Sequence, residues 1–164
     1  MNKRIRQYMG LISAIVAYYI VHEGAHFLYA LSIDVFRQIH FMGFGVQVDV
    51  FADVMTPFQM AMFCVVGSIS TLIFGYILVF VSGYVKRISS KMLKAALYYI
   101  TIALLFIDPL YLSVLCSFVG GGDMNGISLL MPEVVVRVIY GFVFVLNILI
   151  LKRIVLVNYQ KAFE

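Results

Sequence analysis

Two histidines and a glutamate stand at a spacing that suits metal binding. His22 and His26 are four residues apart, and Glu23 directly follows the first of them. On an α-helix, residues four apart project from one face, a single turn from each other. Imidazole nitrogens placed in this way can bind one zinc ion, and the adjacent carboxylate can take a proton from a water that the ion activates. The pattern predicts part of a zinc site, with Glu23 as a general base.

A catalytic zinc usually takes three protein ligands and leaves its fourth position to water, so a third ligand must come from elsewhere. Asp123 lies among glycines, which permit irregular backbone that can return a carboxylate to the first helix. Asp108 precedes Pro109 inside an apolar stretch, where the proline removes a backbone donor and opens the helix locally. His40 is the third candidate. We expect Asp123 to be the ligand, and Asp108 either to cap the helix kink or to orient a histidine as its hydrogen-bond partner.

The elements that must position these side chains are membrane helices. Hydrophobic residues make up 63% of the 164 residues and charged residues 12%, and the mean hydropathy is +1.02. A soluble domain is far less apolar. We expect a single integral membrane domain, residues 1–164, embedded in the lipid bilayer. A crossing takes about 20 helical residues, and the apolar segments of that length are 8–33, 57–85, 92–119 and 134–157.

The basic residues indicate how the chain is oriented in the membrane. The formal charge is +4, but lysines and arginines cluster at the ends of apolar segments and not along a polar face, so no nucleic-acid partner is predicted. They occupy the N-terminus, the connection between the second and third segments, and the C-terminal end. The positive-inside rule then predicts a multi-pass protein of the cell membrane with both termini in the cytoplasm. The histidines would lie about 10–17 Å from the outer end of the first helix.

The loop after the first apolar segment does not have a helical pattern. In residues 39–50, Val46, Val48 and Val50 alternate with polar residues, and glycines precede them, which is typical of a strand or hairpin. The predicted fold is an all-α polytopic membrane protein of about four transmembrane helices, with a short β-hairpin-like loop after the first. The edge of such a strand could pair with an extended peptide, or the hairpin could simply cap the bundle.

Glycines recur every eight residues along the second apolar segment, at Gly67, Gly75 and Gly83. Glycine lets two membrane helices approach closely because it has no side chain. We therefore expect this face of the second segment to lie against neighbouring helices.

With this layout the sequence resembles the site-2 proteases, which are intramembrane zinc metalloproteases, as a small four-span variant. That family carries His-Glu-x-x-His on its first core helix and, two helices later, an Asp followed by Gly that supplies the third ligand. His22, Glu23 and His26 match the first motif. Asp123 corresponds to the second, although a methionine follows it directly and the glycine stands three positions on.

The resemblance implies a zinc metalloendopeptidase that cleaves membrane-spanning protein or peptide substrates. His22, His26 and Asp123 would hold Zn²⁺, and Glu23 would be the catalytic base. The substrate must unwind locally, because a transmembrane helix hides its carbonyls in internal hydrogen bonds. The small residues that begin at Gly67 also resemble a segment of that family. Family members usually hold the metal nearer the cytoplasmic face, whereas the charge distribution here predicts a position nearer the outside.

Two other classes of function can be weighed against a protease. A non-catalytic membrane protein that binds a metal or a partner is the alternative, and it would keep its metal after the loss of Glu23. A membrane redox or transport protein is disfavoured. Three histidines are too few for a haem or multi-iron centre, and the sequence has no internal repeat of the transporter type.

Overall fold

The computed structural model describes residues 2–43 and 45–163. This part of the chain contains four helical runs that are long and apolar enough to cross a membrane, and a small hairpin follows the first of them. The predicted all-α membrane fold is confirmed. The four runs are Lys3–Ser32, Pro57–Arg87, Lys91–Val119 and Glu133–Phe163.

The first helix, α1, spans Lys3–Ser32 and begins five residues before the predicted start at residue 8. Asn2 caps it, because its side-chain oxygen accepts a hydrogen bond from the backbone N–H of Arg4 at 3.1 Å. Hydropathy marks only the apolar part of a helix, so the charged first turn was missed. The chain leaves α1 through Asp34, whose φ of 57° reverses its direction.

The hairpin consists of β1, Phe36–Met42, and β2, Gly45–Val50, which pair antiparallel. It confirms the strand pattern but begins three residues before the predicted residue 39. Ile39 pairs with Val48, and an irregularity of register lies between Phe36 and Gln38. β2 contacts α1, so the hairpin lies against the helix that carries the histidines.

The second run comprises α2, Pro57–Val81, and a tighter 3₁₀ segment, Ser82–Arg87. Its start agrees with the prediction because the local signals are strong: Thr56 and Gln59 form a capping box, and Pro57 occupies the first turn, where its missing N–H costs nothing.

The third run continues through its proline. Helix α3, Lys91–Leu110, passes Pro109 and is followed by a wider π-helical turn, Tyr111–Leu115, and by α4, Cys116–Val119. A proline cannot donate to the carbonyl four residues before it, which here is that of Leu105. The side chain of Asn147 donates to this carbonyl at 2.7 Å, so the fourth run satisfies the group that the proline leaves without a partner.

A short helix, α5, spans Gly122–Ile127, and the fourth run consists of α6, Glu133–Ile150, a π-helical turn, Leu151–Val155, and α7, Leu156–Phe163. Helix α1 packs against α2 and α3, and α2 also packs against α5. Large apolar side chains cover the outside of the bundle, among them Phe80, Phe118 and Phe142. Such a surface suits contact with lipid.

Candidate metal centre

The two motif histidines are buried in the bundle and point at each other. His22 and His26 lie one turn apart on α1, with 6% and 3% of their surfaces exposed. Their Nε2 atoms are 3.1 Å apart. The helical spacing therefore brings both rings to one point, as the motif predicts.

The outer nitrogen of each ring is held by an acceptor. The Nδ1 of His26 lies 2.7 Å from the carbonyl oxygen of Phe63 on α2, and the Nδ1 of His22 lies 3.2 Å from a carboxylate oxygen of Asp108 on α3. A carbonyl oxygen can only accept, so the Nδ1 of His26 carries the proton. Its Nε2 then presents a lone pair, which is the form that binds a metal. The carboxylate selects the same tautomer for His22.

Asp108 lies on the Nδ1 side of the His22 ring, away from the Nε2 atom that faces His26. Its carboxylate is 1% exposed, and it also accepts hydrogen bonds of 2.5 Å from the hydroxyls of Tyr18 and Thr71. Burying an ionised group costs several kcal/mol unless such bonds compensate. Three helices therefore position the His22 ring. Helix α3 provides Asp108, and α1 and α2 provide the hydroxyls of Tyr18 and Thr71 that bind its carboxylate.

Asp123 reaches the inner side of both rings. Its carboxylate oxygens lie 3.3 Å from the Nε2 of His22 and 3.8 Å from the Nε2 of His26, and its side chain is 20% exposed. Of the candidates for a third ligand, Asp123 is the one that the structure brings to the two nitrogens facing each other. Its function as a ligand stays a prediction.

Glycines bring Asp123 to this position. The chain turns sharply at Gly120, whose φ of 95° is strained for any residue with a side chain. The hydroxyl of Tyr111 donates a hydrogen bond of 2.6 Å to the carbonyl oxygen of Gly120. Helix α5 then lies close on α2, where a Cβ at Gly126 would collide with the Sγ of Cys64. The predicted irregular backbone is therefore limited to the turn, and Asp123 itself lies in the first turn of a short helix.

Glu23 is held at the edge of the hairpin. One of its carboxylate oxygens accepts a hydrogen bond from the backbone N–H of Val48 on β2 at 3.0 Å. A carboxylate oxygen of Glu23 and a ring nitrogen of each histidine lie within 4.8 Å of one another. Glu23 is thus close enough to act on a molecule bound between the rings, while β2 keeps its side chain in place.

Gly67 is the residue of α2 that lies against the two histidine rings and so forms one wall of the site. A Cβ placed on this glycine would be 2.6 Å from the Nε2 of His26 and 2.8 Å from the Nε2 of His22. The predicted close contact along this face is also present at Gly75, where a Cβ would meet Leu105 at 2.6 Å. It is wrong for Gly83, which lies in the 3₁₀ segment beyond α2 and whose Cβ would have no atom within 4 Å.

His40 lies away from this centre. It is on β1, its Nδ1 is 3.8 Å from a carboxylate oxygen of Asp49, and its side chain is 53% exposed. It does not line the cleft in front of the histidines, within the part of the chain that the structure describes. The structure therefore does not bring this third candidate to the histidine pair.

The histidines open onto a cleft of about 680 Å³. Its walls come from α1, the ends of α3 and α4, the glycine turn at 120–122, and β2 from Val46 to Val48. The cleft is thus bounded on one side by an extended strand and on the other by the turn that carries Asp123.

Sequence reasoning missed Tyr18, Thr71 and the backbone groups of Phe63 and Val48. Tyr18 had a usable signal, because it stands four residues before His22 and so shares its helix face. The other three come from elements distant in the sequence, and nothing local marks them.

No protein-family model, curated protein or solved structure matches this chain. The function of the chain is therefore inferred from the geometry of the candidate site.

Proposed function

We propose that the protein is an intramembrane zinc metalloprotease that hydrolyses peptide bonds of membrane-spanning substrates, similar to the site-2 proteases. The observation that carries this proposal is the convergence of His22, His26 and Asp123 inside an apolar bundle. Their facing atoms are 3.1, 3.3 and 3.8 Å apart. Ligands 2.0–2.2 Å from a tetrahedral zinc are about 3.3–3.6 Å apart, so the residues fit the ion with little movement.

The donor set favours zinc over the hard divalent cations. Two imidazole nitrogens and a carboxylate suit Zn²⁺, whereas Mg²⁺ and Ca²⁺ prefer sites made of oxygen alone. The outer ring nitrogens donate to the carbonyl of Phe63 and to the carboxylate of Asp108, which is the support that zinc-binding histidines usually have. When bound, zinc supplies a Lewis acid that activates water and polarises a carbonyl.

Glu23 is proposed to move the proton. Its carboxylate takes a proton from the attacking water and gives it to the nitrogen of the departing amine, so one group serves both halves of the hydrolysis. The bond from the N–H of Val48 keeps the side chain from rotating out of the cleft.

The substrate is proposed to bind as an extended strand. A transmembrane helix must unwind before its carbonyls can be attacked, so helix-breaking residues near the cleaved bond should favour cleavage. An unwound segment leaves backbone groups that need partners within the membrane. The edge of β2 at Val46 lines the cleft and is proposed to supply such partners by strand addition, since the N–H of Val48 is already bonded to Glu23.

We also propose a location in the cell membrane with both termini in the cytoplasm. Lysines and arginines are concentrated at the chain ends and between α2 and α3, which the positive-inside rule assigns to the cytoplasmic side. The metal centre would then lie nearer the outer face, unlike the usual placement in site-2 proteases.

The test is Glu23→Gln, which keeps the size of the side chain and removes its basicity. Purified wild type should contain about one zinc per chain, and the variant should retain it. Cleavage of a helix-destabilised membrane substrate should fall by at least about a hundredfold. Glu133→Gln is the matched control, because Glu133 is exposed and pairs with Arg137 in the same helix. It should cleave at the wild-type rate.

Four outcomes would contradict parts of this proposal. Wild-type cleavage by Glu23→Gln would refute the base, and loss of zinc from that variant would make Glu23 a ligand. A wild type that binds zinc but cleaves no such substrate would favour the non-catalytic metal-binding alternative. Zinc retained in both His22→Ala and His26→Ala would refute the centre itself.

A further inference from the structure

The basic end of the bundle carries a groove that the proposed protease chemistry does not use. It lies between α1, α3 and α7 and has a volume of about 820 Å³. We propose that this groove binds the headgroup of one anionic phospholipid from the adjacent leaflet. The residues that carry the argument are Lys3, Arg6, Lys91 and Tyr98.

Charge is the first reason. Lys3 and Arg6 on α1 and Lys91 on α3 line the groove, and no acidic side chain of the described residues does. The guanidinium of Arg6 lies 5.8 Å from the centre of the Phe163 ring, which limits its orientations. A fixed guanidinium suits bidentate binding of a phosphate, and flexible lysines add positive charge around it. The groove is therefore matched to a single phosphate-centred anion.

The distribution of charged residues along the bundle also favours an anionic ligand at this end. All lysines and arginines except Arg37 and Arg137 lie near the start of α1, around the connection from α2 to α3, or in the last part of the fourth run. The acidic residues of the described chain occupy the other half of the bundle, from Glu23 on α1 to Glu133 at the start of α6. Basic pockets between transmembrane helices at the membrane surface suit anionic lipid headgroups.

A second cavity distinguishes a lipid from a free anion. A crevice of about 210 Å³ shares Tyr98 and Leu156 with the groove and continues along α3 through Ile102 to Phe106. Tyr98 and Phe106 are eight residues apart, a rise of about 12 Å along a helix. Half of the hydrocarbon core is about 15 Å thick. The first part of one acyl chain can therefore lie in the crevice while the lipid phosphate occupies the groove, whereas inorganic phosphate has no group to place in the crevice.

The experiment titrates the purified full-length chain with phosphatidylglycerol, phosphatidylcholine or inorganic phosphate at 0.15 M salt, and native mass spectrometry counts the bound lipid. The wild type should bind one phosphatidylglycerol at least about tenfold more tightly than phosphatidylcholine. Inorganic phosphate at millimolar concentration should not displace it.

The groove variant combines Lys3→Gln, Arg6→Gln and Lys91→Gln. Each basic residue near an anionic lipid contributes about fivefold in affinity, so the triple variant should bind phosphatidylglycerol about a hundredfold more weakly. The matched control combines Arg4→Gln, Lys86→Gln and Arg153→Gln. It removes the same charge from exposed side chains that do not line the groove, and it should lose less than about threefold because salt screens charges that do not contact the headgroup.

Ile102→Trp tests the crevice by filling it, and it should weaken phosphatidylglycerol binding at least about tenfold. Wild-type binding by this variant, or displacement of the lipid by inorganic phosphate, would overturn the lipid site in favour of a simple anion site. A loss in the control equal to that in the groove variant would overturn it in favour of diffuse attraction. If the triple variant misfolds, Lys3→Gln with Lys91→Gln replaces it, because both side chains are exposed and neither supports packing.

Discussion

The wall of the candidate metal centre gives the sharpest prediction, Gly67→Ala. The added Cβ would lie 2.6 Å from the Nε2 of His26 and 2.8 Å from the Nε2 of His22, whereas ordinary contacts begin at 3.4 Å. The rings or the helix must therefore move by about 0.6–0.8 Å. The affected atoms are the ones proposed to bind zinc, so a single methyl group acts on two ligands together.

The rings cannot retreat without cost. The Nδ1 of His26 is bonded to the carbonyl of Phe63, and that of His22 to Asp108, so a shift of either ring lengthens or breaks one of these bonds. Loss of one such outer bond usually lowers metal affinity by 10–100-fold. Because both histidines are displaced, we expect zinc affinity to fall by at least about a hundredfold. Cleavage should fall with it.

The assay is zinc content and zinc affinity, measured by metal analysis and by competition with a chelator. Gly24→Ala is the matched control: Gly24 stands between the motif residues on α1, and a Cβ there would have no atom within 4 Å. It should retain zinc and stabilise the helix by about 1 kcal/mol, because alanine favours a helix more than glycine does. Gly75→Ala should disturb packing against Leu105 without loss of zinc.

One result would refute the reasoning. If Gly67→Ala binds one zinc with wild-type affinity, the space between α2 and the two rings is not the place where the ion is held. If Gly75→Ala loses zinc as completely as Gly67→Ala does, the effect reports general packing of α2 and not contact with the ligands.

Further predictions concern the third ligand, the proline and the topology. Asp123→Ala should abolish zinc retention, whereas Asp108→Asn should lower zinc affinity by about 10–100-fold. Equal zinc content of these two variants at saturating zinc would contradict the preference for Asp123. Asn147→Leu leaves the carbonyl freed by the proline without a donor and should lower the free energy of unfolding in detergent by about 1–2 kcal/mol; an unchanged unfolding curve would argue against that bond. An impermeant maleimide should label Lys91→Cys only from the cytoplasmic side and Asp49→Cys only from outside, and the reverse labelling would invert the topology.

Local patterns in the sequence were enough for the class of fold and for half of the site. Apolar segments of membrane length predict the four helical runs, because a spanning helix satisfies its own backbone and needs little information from elsewhere. The convergence of His22 and His26 follows from helical periodicity alone. The alternation in residues 39–50 indicates the hairpin for a similar reason, since the side chains of a strand repeat every second residue.

Only the tertiary structure decided which carboxylate faces the histidines. Asp108 and Asp123 both stand beside residues that disturb a helix, so local rules do not separate them. Their positions depend on packing between distant segments: α5 lies against α2 where Gly126 meets Cys64, which turns Asp123 inward, while α3 places Asp108 behind His22. Such contacts depend on the shape of both partners at once, and a pattern within one segment does not contain that information.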